Sequence, residues 1–287
     1  MAVSVVVVGD ALLDVLAVPS QPMRPGADVP AAVRVAPGGQ GANLAVRLAR
    51  RGVPVQLVCA LGDDAAGRLL RETLAADGVQ VRPVEAVATG AVIVLIDAAG
   101  ERTMLSQRVP LAARVAEEPP RMGDWVIVSG YLLLEAGAER VATGVHRLAP
   151  RRMLVGCAVP DGSIDEWQRA ALALDPDVVV VNRDEADRVP LLRGDRLVVT
   201  EPDGATAVIG EARATVVTPA GPPATDTTGA GDAFAAAFLA ELLECWPPDG
   251  DSLHRALEAG ALAGAATTRV AGAQGRIHGE RSAIVDP

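Results

Sequence analysis

The chain contains no lysine, and all of its 26 basic residues are arginine. This absence excludes several kinds of site at once. A Walker-type P-loop and a protein-kinase fold both place a lysine on nucleotide phosphates, and Schiff-base or pyridoxal chemistry needs a lysine amine. Any phosphate that this chain binds must therefore be held in large part by backbone N–H groups.

Aromatic residues are scarce as well, with two Phe, three Trp and one Tyr, and the net charge is −10. A nucleic-acid surface needs a basic patch and stacking aromatics, so we expect a small-molecule partner and no nucleic acid. No apolar run approaches the roughly 18 residues of a membrane span. The chain enters a strand-like run at residues 3–8 without a targeting signal, and we therefore expect no membrane association and a cytoplasmic location.

Cysteine is also rare. Cys59, Cys157 and Cys245 are odd in number and widely spaced. Such a set is typical of free thiols in a reducing compartment, and it favours neither a disulfide framework nor a metal site.

Short β-branched runs alternate with Ala-, Leu- and Arg-rich helical stretches along the whole chain. The strand-like runs include residues 55–60, 125–129, 178–182 and 197–200. This alternation predicts a mostly parallel sheet with helices on both faces. Since 287 residues, half of them hydrophobic, fit one large α/β domain with a small appendage, we expect a single domain over residues 1–287.

Two segments interrupt the alternation. Residues 15–37 are rich in proline and short extended pieces, and residues 89–110 predict a hairpin that turns near Gly100. Their similar character predicts a small β layer over one edge of the main domain.

The most informative motif is at residues 226–232, which read Asp-Thr-Thr-Gly-Ala-Gly-Asp before an apolar helical stretch. Small residues leave the first N–H groups of that helix uncovered, at the positive end of its dipole, where an anion can bind. Asp232 would repel that anion, so its expected task is to take a proton from a nucleophile that attacks it. This combination indicates phosphoryl transfer.

A second glycine-rich motif, Gly-Gly-Gln-Gly-Ala-Asn at residues 38–43, precedes a helical stretch that Gly52 ends. Paired glycines allow a ligand to approach the backbone, although a glycine-rich turn taken alone is more simply explained as a tight turn. A dinucleotide fingerprint fits poorly, because Leu44 stands where that pattern requires glycine.

Polar residues also follow two strand-like runs. Asp10 and Asp14 close the first run, at the end where ligands of open α/β sheets bind, and a carboxylate there can accept two sugar hydroxyls. Asp10 could instead cap a turn. Asn182 and Glu185 follow another run, and a helix N-terminus favoured by the helix dipole would account for them as well.

These motifs resemble, in order and from Gly9 to Gln274, the signatures of the ribokinase-like carbohydrate kinases, the PfkB family. The closest likeness is the D-T-x-G-A-G-D motif, supported by G-G-x-G-A-N, by residues 61–67, by the N-x-x-E segment and by a G-A-Q turn at residues 272–274. The resemblance implies a three-layer α/β/α sandwich with a mostly parallel central sheet and a small β-sheet lid. It also implies an ATP-dependent sugar kinase that uses Mg²⁺.

The resemblance assigns roles to particular residues. Asp232 is the implied general base, and Gly229, Ala230 and Gly231 form the anion-binding turn beside it. The implied sugar contacts are Asp14, Gly38, Gly39 and Asn43. The implied ATP contacts are Asn182, Thr200 and Gly204, together with Gly229 and Gly231. Glu185 is implied at Mg²⁺, through water, and Asp226 at a monovalent cation such as K⁺, although a helix-entry cap would also explain Asp226.

The segment 200–205 departs from the family pattern, because it is shorter and Pro202 stands where glycine is usual. Proline removes an N–H donor and fixes φ, which puts nucleotide preference in question. We expect ribose or a ribose-like sugar as acceptor, with a nucleoside second. A sugar- or nucleoside-sensing protein and a nucleotide-binding oxidoreductase are the alternatives from other classes. A lid of this kind predicts a homodimer.

Overall fold

The computed structural model describes residues 3–97, 102–117, 123–189, 194–218 and 229–268. Its strands are β1 (Val5–Val8), β2 (Leu12–Pro19), β3 (Ala31–Gly38), β4 (Val55–Gly62), β5 (Gln80–Ala86), β6 (Ala91–Ile96), β7 (Arg102–Gln107), β8 (Trp125–Ser129), β9 (Arg152–Val155), β10 (Val178–Asn182), β11 (Arg196–Glu201), β12 (Gly204–Ile209) and β13 (Ala212–Val217). Its α-helices are α1 (Gln40–Ala49), α2 (Ala65–Ala76), α3 (Ala112–Glu117), α4 (Ala138–Leu148), α5 (Ile164–Leu174), α6 (Arg183–Arg188), α7 (Ala230–Leu242) and α8 (Gly250–Thr267).

A nine-stranded sheet forms the centre of the molecule, in the order β13-β12-β11-β10-β9-β8-β1-β4-β5. The strands from β11 to β5 pair in parallel, whereas β11, β12 and β13 form an antiparallel edge. The central strands are runs of buried valine and isoleucine, as expected for a parallel sheet that is covered on both faces.

Two hydrophobic cores lie on opposite faces of this sheet. One is built with side chains of α1, α2, α7 and α8, and the other with side chains of α3, α4, α5 and α6. The three-layer α/β/α arrangement with a mostly parallel sheet is therefore confirmed. The thiols of Cys59 and Cys157 are buried within these cores as free thiols, whereas Cys245 is only half-buried.

A second, four-stranded sheet has the order β3-β2-β6-β7, which confirms the small β sheet of the expected fold. The predicted hairpin is β6 and β7, paired antiparallel. We refer to these four strands, β2, β3, β6 and β7, as the lid sheet. Its first strand, β2, begins at Leu12, earlier than the predicted segment at residues 15–37. Among the described segments, no helix is both long and apolar enough to cross a membrane.

Candidate active site

Asp232 lies in the first turn of α7, whose N-cap is Gly229 in the left-handed conformation at φ 73°. Among the residues that the structure describes, which begin at Gly229 here, no side chain caps this end of the helix, so its first backbone N–H groups are available to an anion. The rest of α7 is almost entirely buried Ala, Phe and Leu. The Asp232 carboxylate is therefore a polar group at the N-terminal end of a helix that is otherwise mostly apolar and buried.

Asp232 is only 9% exposed. Asn43 Nδ2 donates a hydrogen bond of 2.8 Å to Asp232 Oδ2 across a buried contact between α1 and α7. The pKa of Asp232 is raised to about 6, because burial and, to a smaller extent, the charge of Asp10 raise it by more than the amides of Asn43 and Gln40 and the Arg47 guanidinium lower it. A carboxyl group with this pKa is suited to act as a base near neutral pH.

The glycine turn before α1 packs directly on the end of β1. Gly39 has φ 93°, and a Cβ there would lie 2.8 Å from the Asp10 carbonyl oxygen. A Cβ on Gly41 would lie 2.7 Å from the Gly9 carbonyl carbon. The backbone N–H of Ala42 donates to Asp10 O at 3.0 Å. Only glycine permits this approach, so close packing explains the paired glycines whether or not a ligand contacts them.

Both carboxylate oxygens of Asp10 contact other groups of the protein. Its Oδ1 accepts the Gly41 N–H at 3.3 Å, and its Oδ2 forms an ion pair with Arg108, which follows the lid strand β7. The Arg108 guanidinium also covers the ring of Tyr131, 3.6 Å from the centroid. The Tyr131 ring face on that side is thus taken by a cation. Arg108 was not recognised from the sequence, although its position just after the lid hairpin is a signal that could have identified it.

Asp14 lies on β2 in the lid sheet, beside Gly38 at the end of β3. A Cβ on Gly38 would overlap the Asp14 carboxylate, so glycine at this position leaves the space that the carboxylate uses. The register places Asp14 beside Ala36 and Val92. Since Val92 is buried, Asp14 lies on the inner face of the lid.

Gln40, the first residue of α1, makes three hydrogen bonds to the ends of β8 and β9. Its Nε2 donates to Gly156 O at 2.8 Å, and its Oε1 accepts from Ser129 Oγ at 2.7 Å and from the Gly130 N–H at 3.0 Å. In the motif G-G-x-G-A-N this residue is the variable position, so the motif gives it no role. Its partners are distant in sequence, so only the folded chain shows these three hydrogen bonds, which clamp α1 to the central sheet.

Asn182 and Glu185 form a capping box at the start of α6. Asn182 Oδ1 accepts the Glu185 N–H at 2.8 Å, and Glu185 Oε2 accepts the Asn182 N–H at 3.1 Å. The helix-terminus interpretation therefore accounts for both side chains. Burial raises the pKa of Glu185, whose Oε2 lies 2.7 Å from where a Cβ on Gly156 would stand. Its carboxyl group thus adjoins the strand end that Gln40 contacts.

The segment 200–205 is a tight hairpin between β11 and β12, in which Glu201 pairs with Gly204. Thr200 stands beside Asn182 in the parallel register of β10 and β11, which brings these two predicted ATP contacts together. A Cβ on Gly204 would overlap the carbonyl oxygen of Val216, so pairing with β13 by itself requires glycine there. Asp226 and the turn at residues 272–274 lie outside the described residues.

A model of the pfkB carbohydrate kinase family matches residues 2–278. The chain belongs to this family. An ATP-dependent ribose-1-phosphate kinase of Halopiger xanaduensis is 31% identical over 250 residues, which cover 83% of this chain and 82% of that protein. A fructokinase of Klebsiella pneumoniae is 32% identical over 278 residues, 85% of each chain. This PfkB protein is accordingly an ATP-dependent carbohydrate kinase, and the oxidoreductase alternative is set aside.

Solved structures show the same fold. The ribokinase of Thermotoga maritima superposes with a TM-score of 0.74 at 22% identity, covering 96% of both chains. The aminoimidazole riboside kinase of Salmonella enterica superposes with a TM-score of 0.75 at 23% identity, covering 94% of this chain and 95% of that one. The ribokinase-like architecture inferred from the motifs is thereby confirmed.

Proposed function

We propose that this PfkB kinase transfers the γ-phosphate of ATP to a primary hydroxyl of ribose or a ribose-like sugar. The observation that carries the proposal is the buried Asp232 carboxylate in the first turn of α7, after the Gly229 N-cap, in hydrogen-bond contact with Asn43 of the glycine-rich turn and helix. This arrangement places a candidate base beside an anion-binding helix end and in contact with the segment that resembles a sugar-binding motif.

In this mechanism Asp232 removes the proton of the acceptor hydroxyl as its oxygen attacks the γ-phosphorus. A new O–P bond forms, the bond between the γ-phosphorus and the β,γ-bridging oxygen breaks, and ADP leaves. The N–H groups of the turn formed by Gly229, Ala230 and Gly231 face the negative charge that develops on the transferred group. With no lysine in the chain, these backbone dipoles and arginine are its sources of positive potential.

We assign the acceptor hydroxyls to Asp14, Gly38, Gly39 and Asn43. The lid brings Asp14 and Gly38 together, and the turn at Gly39 leads to Asn43 at Asp232. A ribose-like acceptor is supported by the likeness of this turn to the ribokinase form and by the name of the Halopiger xanaduensis relative. A nucleoside is the second candidate, although the cation over Tyr131 removes one stacking surface for a base.

For the nucleotide we assign Asn182, Thr200 and Gly204, together with the α7 turn. Kinases of this family use ATP, normally with Mg²⁺, which neutralises phosphate charge when bound. The half-buried Glu185 carboxylate supplies the oxygen donor that Mg²⁺ prefers, and a nearby divalent cation would offset its raised pKa. Asp226 remains our candidate for a monovalent cation such as K⁺, and we place the enzyme in the cytoplasm.

We expect two copies to associate through the outer face of the lid. The strand registers place Val33, Val35, Ile93 and Leu105 on this face, opposite Asp14, and they are between 38% and 60% exposed. An apolar sheet face of this kind favours burial against a partner. Light scattering should give the mass of a dimer, and replacing Val33 and Ile93 by Glu should give a monomer; a monomeric wild type would remove the proposal.

ADP release from Mg-ATP should be measured across ribose, ribose 1-phosphate, fructose, adenosine and cytidine, with Asp232→Asn beside the wild type. We expect turnover on a ribose-like acceptor and a loss of roughly 10²–10⁴-fold in the variant. Near-normal turnover in Asp232→Asn would contradict the assigned base. Turnover confined to nucleosides would select the second candidate, and binding of an acceptor without turnover would favour a sensing role.

A further inference from the structure

Helix α1 is held at its start more firmly than its glycine-rich sequence suggests. Gln40 binds the ends of β8 and β9 through Ser129, Gly130 and Gly156, at 2.7 to 3.0 Å. The preceding turn packs on the end of β1 through Gly39 and Gly41. The first turn of α1 therefore has little freedom to shift relative to the central sheet.

Asn43 stands at the end of this anchored turn and is only 4% exposed. Its Nδ2 donates to Asp232 Oδ2 at 2.8 Å, over a separation of 189 residues in sequence. A buried amide in this position has little room to reorient. Because the donor is fixed on α1, this hydrogen bond also restrains the Asp232 carboxylate on α7.

We propose that Asn43 is the positioning residue of Asp232, holding the carboxylate through Oδ2 so that Oδ1 takes the acceptor's proton. This inference rests on the proposed function, in which Asp232 is the base. It gives Asn43 a role that sugar binding does not include, because the amide nitrogen is directed at a protein carboxylate. A donor at this distance also favours the charged form of the carboxylate over the protonated form, as the Gln40 amide and the Arg47 guanidinium do, while the charge of Asp10 disfavours it. The variants of Asn43 leave these three groups unchanged.

The two roles of Asn43 predict different kinetics. If Asn43 positions the base, Asn43→Ala and Asn43→Asp lower kcat and move the acid limb of kcat/KM upward by about one pH unit or more. The ratio of kcat/KM at pH 8 to that at pH 6 then rises from about 2 to about 10. If Asn43 only binds sugar, the acceptor KM rises and the acid limb stays in place.

Asp14→Asn is the matched comparison, because it alters a proposed sugar contact away from Asp232. We expect a raised acceptor KM and an unshifted acid limb in this variant. Asn43→Ala only shortens the side chain, so it remains usable where the paired carboxylates of Asn43→Asp prevent folding. Circular dichroism establishes that each variant is folded.

A titration without turnover provides the independent readout. In protein labelled with ¹³C at the aspartate carboxyl groups, the Asp232 signal is assigned by its loss in Asp232→Asn, and its pKa is compared between the wild type and Asn43→Ala. A higher pKa in the variant supports the inference, and an unchanged titration overturns it. Normal turnover in Asp232→Asn would instead overturn the proposed base. The two failures are distinguishable, because turnover of Asp232→Asn tests the base and the titration tests the hydrogen bond from Asn43.

Discussion

Replacement of Asp232 by Asn should make the protein more stable while it abolishes most of the activity. Burial raises the pKa of this carboxyl group from 3.8 to about 6, which corresponds to about 3 kcal/mol of differential stability. Because the folded-state pKa lies above the unfolded value, the stabilising contribution is complete below pH 3.8 and is lost as pH rises through about 6. Above that pH the wild type holds a buried charge that asparagine lacks.

We therefore expect Asp232→Asn to raise the free energy of unfolding by up to about 3 kcal/mol at pH 8, or roughly 5–10 °C in Tm. The gain should shrink as pH falls from 6 towards 4. Thermal and urea unfolding followed by circular dichroism at several pH values measure this difference. A variant that is equally or less stable at pH 8, or a gain independent of pH, would refute the reasoning.

Asp64 provides a control, because the pH dependence of its contribution to stability has the opposite sign. It caps α2 by accepting the Gly67 N–H at 2.7 Å, and it accepts the N–H and Oγ1–H of Thr89 at 2.8 and 2.7 Å. These bonds lower its pKa to about 2, so its contribution is present above pH 3.8 and is lost as pH falls through about 2. Asp64→Ala should lower stability at pH 7 by about 1 kcal/mol or more, and the loss should diminish below pH 4.

Three further predictions concern activity and packing. The kcat/KM of the wild type should rise with pH, reach half of its limit near pH 6 and level off between about pH 7 and 8, as Asp232 loses its proton; a profile flat from pH 5 to 8 would contradict the raised pKa. Gly38→Ala should raise the acceptor KM by tenfold or more, on the order of 1.4 kcal/mol, because its Cβ displaces the Asp14 carboxylate, and an unchanged KM would remove Asp14 from the sugar site. Gly260→Ala should destabilise the protein by about 1–2 kcal/mol, since its Cβ would lie 2.9 Å from the Phe234 ring. Gly144→Ala, with open space around it, should stabilise α4 by about 0.5–1 kcal/mol. Equal effects of the two substitutions in thermal unfolding would contradict this packing.

Local patterns in the sequence were sufficient to predict the main elements. Buried valine runs marked β8 and β10 at their observed bounds, and the small residues before Asp232 marked the start of α7. These features depend on neighbouring residues, through side-chain alternation, glycine conformations and helix dipoles. The order of the motifs along the chain was enough to indicate the fold and the kinase class.

The same local reasoning left the polar residues ambiguous. Asn182 and Glu185 fitted either a nucleotide site or a helix cap, and the structure shows that they do form a capping box. Asp10 fitted either a ligand or a turn, and it contacts both the Gly41 backbone and Arg108. Residue type alone does not choose between such roles, because a carboxylate accepts hydrogen bonds from the protein and from a ligand in the same way.

By itself, then, the sequence determined the alternation of strands and helices, the glycine turns and the chemical groups of this kinase. Only the tertiary structure decided that Asn43 holds Asp232, that Gln40 clamps α1 to the sheet and that Asp64 binds Thr89 of the lid. These contacts join residues that are far apart in the chain, so no local pattern encodes their distances. The raised pKa of Asp232 likewise arises from burial, which exists only once the helices have packed on the sheet.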